Sequence, residues 1–286
     1  MRPYLLLALA GLALLATEAS AQTAPPPIAL FFSCDARAEA AALAFFDEAS
    51  ASASAEARSS DLESAKTAIQ RAAALREAAL SGQTVEDPYG GAAFWARLAT
   101  SSSSPRTAEL FRRIAKDQFA RSHTVAAMRR TSWAAGLSDN ARVYAYRIIA
   151  RDGCGVDADN TAWLKADLRV NGWFTLTEFG KDADQAAFLL VQHADKDRPF
   201  QQQVLALLEP LVAQGKTRPA SYAYLFDRVA VARQQPQRYG TQGRCAGPGA
   251  WEPFELETPE NLDQRRAAVG LSTESAYQAV AGKMCG

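Results

Sequence analysis

From Asp35 the chain becomes rich in Ala, Glu, Arg and Leu, residues that keep most of their rotamer freedom in a helix and therefore favour it. Breaks fall near Ser59-Ser60, at Asp87-Pro88-Tyr89-Gly90-Gly91 and at Ser101-Ser102-Ser103-Ser104-Pro105. Such a chain is constrained to a series of helices. The longest is expected from Arg106 to Ala134, where Leu110, Ile114, Phe119, Val125 and Met128 recur at roughly helical spacing with charge between them. The Ala-rich stretch from Glu39 to Ala79 reads as a helical hairpin, its small residues letting two helices approach closely. No Trp, Gly, Ala or Pro landmark recurs at the period of about 34 residues that marks helical repeats, so the array is irregular.

The second half carries clearer punctuation. Trp163 to Arg169 reads as helix closed by Asn171-Gly172, and Asp182 as the cap of a helix through Ala183, Ala186, Leu189 and Leu190 that ends in Gln192-His193-Ala194-Asp195. Asp197 with Pro199 opens the next, with Val204, Leu205, Leu208, Leu211 and Val212 on a buried face and Pro210 kinking or splitting it. A third runs from Pro219 to Ala232. After Pro236, the run Gln237 to Gln242 favours a strand or tight turn, and with Trp251 to Leu256 it predicts a small β-hairpin turned at Gly247-Pro248-Gly249. The fold class expected is mostly α: an irregular multi-helix array with a small β-hairpin near the C-terminal third. An N-terminal helical region (35–150) leads into a motif-bearing helical domain (151–286) that continues it.

The first residues address the chain elsewhere. Met1-Arg2 is a short positive start, Leu5 to Leu15 an apolar run too short to span a bilayer, and Ala19-Ser20-Ala21 a small-x-small cleavage pattern. Residues 1–21 are thus expected to be a signal peptide cut before Gln22, and 22–34 a flexible Pro-containing leader. The mature chain of about 265 residues, enough for a real core, would work in the periplasm or outside the cell, with no membrane insertion after cleavage. Thirty-one basic and thirty-one acidic residues give no net field to recruit nucleic acid. Cys34, Cys154, Cys245 and Cys285 follow no zinc spacing and suit disulfides in an oxidising compartment. Three pairings are open; bracketing of the two halves favours Cys34–Cys154 and Cys245–Cys285. With two histidines, no HExxH, no GxSxG and no Gly-rich phosphate loop, the sequence points to no metal and no cofactor.

Polar residues concentrate between Gln192 and Gln242. The ordered set Gln192-His193-Ala194-Asp195, Phe200-Gln201, Tyr224-Leu225 with Asp227-Arg228, Gln237 and Tyr239-Gly240-Thr241-Gln242 resembles a bacterial domain-of-unknown-function family. Asp117-Gln118 with Arg121, Asn160, Gly172-Trp173, Leu262-Asp263 with Arg265-Arg266, and Gly270-Leu271 extend the resemblance over residues 117–277. It implies a shared helical domain and no particular reaction.

His193, Asp195 and Asp227 are the residue types for acid–base work and are the catalytic candidates. Gln192, Arg228, Gln237, Tyr239 and Gln242 are the candidates for holding a polar or anionic ligand. Two residues apart on a helix, His193 and Asp195 point to different sides unless the helix ends between them. Equally, Gln192 and His193 can satisfy a helix terminus while Asp227 and Arg228 pair with neighbours. Two readings stand. One is a helical binding or interaction module with a polar cleft around residues 192–242, taking a small molecule, glycan or peptide. The other is a hydrolase of an envelope glycan or peptide using His193, Asp195 and Asp227.

Overall fold

A computed structural model describes residues 38–87 and 91–285. The expected signal peptide, the leader and Cys34 lie outside the described residues. The described chain falls into two compact units, 38–163 and 164–285. Among the described residues are ten α-helices and one two-stranded sheet, as the sequence led us to expect.

The first unit holds α1 (Ala38–Ala49), α2 (Ala55–Leu80), α3 (Ala92–Ser101), α4 (Pro105–Arg129) and most of α5 (Asp139–Asn171). Helix α2 starts where the Ser54 hydroxyl accepts the Ala57 N–H, so the expected break at Ser59-Ser60 falls inside a helix whose real cap lies five residues earlier. Its buried residues Ala65, Ala68, Ala72 and Ala79 recur every three, four and seven positions, a stripe of methyl groups on one face. Those at 65, 68 and 72 share a core with Ala42 and Phe46 of α1, Ala126 and Ala127 of α4, and Trp133, Tyr144 and Ile149. Small residues at the contacts let helix axes approach closely.

Ser104 caps α4 with Pro105 at its first position, and Arg130, at φ 55°, ends it in the left-handed region. Among the described residues the longest helix is therefore α5, at 33 residues, and not the 106–134 segment. Gly153 and Gly155 disfavour helix by about 1 kcal/mol each, yet both sit inside α5, whose remaining turns outweigh them.

The second unit follows with α6 (Leu176–Gln192), α7 (Arg198–Ala213), α8 (Pro219–Ala232), β1 (Gly243–Gly247), β2 (Ala250–Pro253), α9 (Leu262–Ala268) and α10 (Glu274–Ala281). Helix α6 opens at Leu176, before the expected Asp182, but Gly180 (φ 78°, ψ 174°) interrupts it. Only glycine tolerates that conformation well, and regular helix resumes beside the expected start. Asp197 caps α7 by accepting the Phe200 N–H at 3.1 Å. Pro210 neither ends nor splits α7, because it lies in the last turn, where its missing N–H removes a single rung.

The hairpin pairs β1 and β2 antiparallel, Gly243 opposite Pro253 and Cys245 opposite Trp251, around the Pro248-Gly249 turn. Its first strand begins at Gly243, just past the expected 237–242 run. A disulfide joins Cys245 to Cys285, as bracketing favoured. The expected Cys34–Cys154 bridge lies outside the described residues. Among the described residues, no helix is long and apolar enough to cross a membrane.

Candidate functional site

The loop that follows α8 is built around one carboxylate. Asp227, fully buried on α8, accepts the backbone N–H groups of Arg238 (2.8 Å), Tyr239 (3.0 Å) and Thr241 (2.9 Å) and the Thr241 hydroxyl (2.9 Å). Successive N–H groups converge because Gly240 takes φ 61°, a residue without Cβ at the bend of a backbone nest. Nests of this kind bind anions, and here the anion is the protein's own. Burial pushes the Asp227 carboxyl above the usual carboxylate range, although the donors from Thr241, Tyr239 and Arg238 pull the other way.

The next residue of α8 turns to a different partner. Arg228 donates through Nε and Nη2 to the two oxygens of Asp195, at 2.7 and 2.6 Å, and through Nη1 to Gln242 Oε1 at 3.3 Å. Gln201 on α7 donates to the same Asp195 at 3.2 Å and to the carbonyls of Val191 and Gln192 at the end of α6. Burial raises the Asp195 carboxyl, but the Arg228 charge and hydrogen bonds, the Gln201 amide and the field of His193 bring it below the usual range. That field is felt because α6 ends at Gln192: His193 is the cap residue, and Asp195 lies past the helix, where spacing rules no longer separate the two.

Gln242 closes the circuit. Its Nε2 donates to Thr241 Oγ1 at 3.1 Å, and that hydroxyl donates to Asp227. Hydrogen bonds thus run without a gap from Gln201 through Asp195, Arg228, Gln242 and Thr241 to Asp227. Gln237, fully buried, acts beside this path as a strand substitute. Its Nε2 donates to the carbonyls of Gln242 (2.7 Å) and Phe254 (3.0 Å), while its Oε1 accepts the Gln242 N–H (2.9 Å). Tyr239 packs edge-on against Phe226, with ring centres 6.0 Å apart.

The structure therefore brings Asp195, Asp227, Arg228, Gln237 and Gln242 into one network, with His193 at its margin. Gln192, Arg228, Gln237, Tyr239 and Gln242 are all buried. The most accessible member is Asp195, whose side chain is 35% exposed.

Sequence reasoning gave no role to three contributors. Thr241 relays between Gln242 and Asp227. Arg266 on α9, fully buried, donates to the carbonyls of Tyr239 (2.5 Å), Gly240 and Ser272, clamping the nest from behind. Asp184 on α6, fully buried, accepts from Trp173 Nε1 (2.8 Å), the Thr217 hydroxyl (2.5 Å) and Arg218 Nε (3.1 Å), tying the start of α8 to α6. A lone acid between Ala183 and Ala186-Ala187 was the available signal for Asp184. Among the described residues no group of three or more His, Cys, Asp or Glu is placed to hold a metal ion.

A family model described as "Family of unknown function (DUF6624)" matches residues 116–283, more than half of the chain. The chain belongs to this family. The DUF6624 match spans the whole hydrogen-bonded path from Asp195 to Gln242. It also takes in a second ionic group, Asp117–Arg121–Asp157, joined at 2.8 and 3.1 Å in the first unit, with Asp117 and Arg121 buried and Asp157 half-buried. Neither a curated protein nor a solved structure matches the chain.

Proposed function

We propose that this DUF6624 protein is an exported, non-catalytic helical binding module, in which the segment from Gln192 to Gln242 is the frame of a recognition surface. One observation carries the reading: both carboxylates suited to acid–base work are committed within the chain. Asp227 is buried under four donors and Asp195 is held by the Arg228 fork and Gln201. A general base must reach a substrate proton with a lone pair to spare, and Asp227 has neither access nor a spare lone pair. A fully satisfied polar network does something else well, which is to fix side chains and loops in one arrangement. The Asp195 edge is where a glycan or peptide ligand would meet that frame. The apolar run and the small-x-small site at residues 5–21 support export.

The test uses the purified protein with soluble envelope glycan fragments and peptides, following products by mass spectrometry and binding by thermal shift. The expected result is a raised melting temperature without turnover, weakened by Asp195→Asn. Turnover that disappears in a folded Asp227→Asn variant would overturn the reading in favour of the hydrolase. For export, mass spectrometry of the secreted chain should find Gln22 at its N-terminus, and a retained Met1 would count against it.

A further inference from the structure

A cleft of about 390 Å³ opens within the first unit, between α2, α4 and α5, far along the sequence from the 192–242 frame. Four cations line it: Arg76, Arg112, Arg113 and Lys116. Two carboxylates accompany them and are already engaged, Glu109 by Arg112 (3.0 Å) and Arg113 (2.8 Å), and Asp159 by Arg113 (2.8 Å). Lys116 is exposed and makes no ion pair among the described residues. The lining side chains carry four positive and two negative charges, and Arg76 also pairs with Glu77 beside the cleft at 3.6 Å.

At the same cleft lies Asn160, 3% exposed. Its Oδ1 accepts from Arg113 Nη1 at 3.5 Å, while its amide nitrogen is buried without an acceptor. A buried amide donor is normally satisfied, so Asn160 keeps unused hydrogen-bonding capacity in this wall. Gly155 completes the wall, and a Cβ built on it meets no atom within 4 Å.

We infer that this cleft binds a small organic phosphate, its phosphate group received by the cations that line it. The sign of the charge fits: a phosphate monoester carries about −1.5 to −2 at pH 7, and the cations of the lining outnumber its carboxylates. The donor chemistry fits, since arginine forks and a lysine ammonium are the usual receivers of phosphate oxygens. The size fits as well, because pockets of roughly 300–1,000 Å³ hold small organic molecules, and a bare phosphate would leave most of this one unfilled. The site does not depend on the reading of the 192–242 frame, from which it is separate in sequence and in unit.

Calorimetric titration of the purified protein with glucose 6-phosphate, inorganic phosphate and glucose tests the inference. Glucose 6-phosphate should bind with salt-sensitive affinity, inorganic phosphate more weakly and glucose not measurably. Arg112→Gln combined with Lys116→Gln should weaken glucose 6-phosphate by roughly tenfold or more. Gly155→Phe fills the cleft from a position with room for a side chain and raises helix propensity. It should abolish binding while the ligand-free melting temperature holds or rises.

Phosphatidylglycerol vesicles that capture the protein, and that glucose 6-phosphate displaces, would assign the same oxyanion chemistry to a lipid headgroup. Three results overturn the inference: glucose binding as tightly as its phosphate, binding unchanged in the charge and Gly155→Phe variants, or no binding of either phosphate up to ~10 mM. Inorganic phosphate binding as tightly as glucose 6-phosphate overturns its organic part.

Discussion

At the scale of single residues, Asp227 shows how a side chain of catalytic type becomes structural. Its carboxylate organises residues 238–241 with three backbone N–H groups and one hydroxyl. Asp227→Asn keeps the shape but turns an N–H₂ group toward donors, leaving buried groups unsatisfied. It should cost about 2–4 kcal/mol, read as a lower urea midpoint. Asp195→Asn should cost clearly less, since Asp195 is partly exposed and its remaining oxygen still accepts from Arg228. Equal losses would mean that the nest does not depend on charge. The polar constellation was legible as residue types in order, and the structure does gather Asp195, Asp227, Arg228, Gln237 and Gln242. What was not legible was the direction each side chain faces. An Asp that waits for a substrate and an Asp that caps a loop carry the same letter, and only burial and donors distinguish them.

At the scale of elements, boundaries were legible where backbone chemistry is decisive and obscure where packing overrides it. Pro219 and the Asp197 carboxylate set the starts of α8 and α7 from local rules alone. Ser59-Ser60, Gly153, Gly155 and Pro210 all sit inside helices, because a propensity penalty of about 1 kcal/mol, or one lost rung, is small against the burial of a whole helical face.

The hairpin shows the opposite case, in which one glycine is indispensable. A Cβ on Gly243 would collide with the Glu252 carbonyl oxygen and the Trp251 ring, neither of which is the free end of a flexible chain. Gly243→Ala should therefore destabilise by roughly 1–3 kcal/mol, visible as a lower melting temperature, and a neutral result would show that the hairpin breathes. The disulfide closes a 40-residue separation between this hairpin and the chain's end. In the chain-entropy account such a bridge contributes about 4 kcal/mol. Reductant, or Cys285→Ser, should lower the melting temperature by several degrees in circular dichroism. No change under full reduction would remove the disulfide from the stability of the fold.

At the scale of the whole molecule, net charge is formally zero at pH 7, so near neutrality general repulsion is weak and particular buried groups carry the first response to falling pH. His123 on α4 is the clearest. It is 7% exposed, its ring set edge-on to Phe119 at 4.9 Å and near Trp133 at 6.4 Å. Burial, with the nearby Arg76 charge, lowers it from an ordinary value of 6.5 to about 4. Well above pH 6.5 the imidazole is neutral in both the folded and unfolded chain, and the difference costs nothing. As pH falls from 6.5 toward 4 the unfolded chain takes up a proton that the folded chain refuses. Stability therefore drops across that window by roughly 3 kcal/mol at most, then levels with respect to this group.

Asp195, lowered by Arg228, acts later: the stability it contributes is present above the usual carboxylate value and is lost as pH falls through its own lowered one. The two losses are separable by window and by substitution. Melting temperatures taken from pH 7.5 down to pH 4.5 should fall for the native chain and fall much less for His123→Phe, which keeps an aromatic ring against Phe119 and Trp133 but cannot titrate. If both proteins trace the same curve over that range, the acid sensitivity belongs to another group, and His123 is only a packed ring.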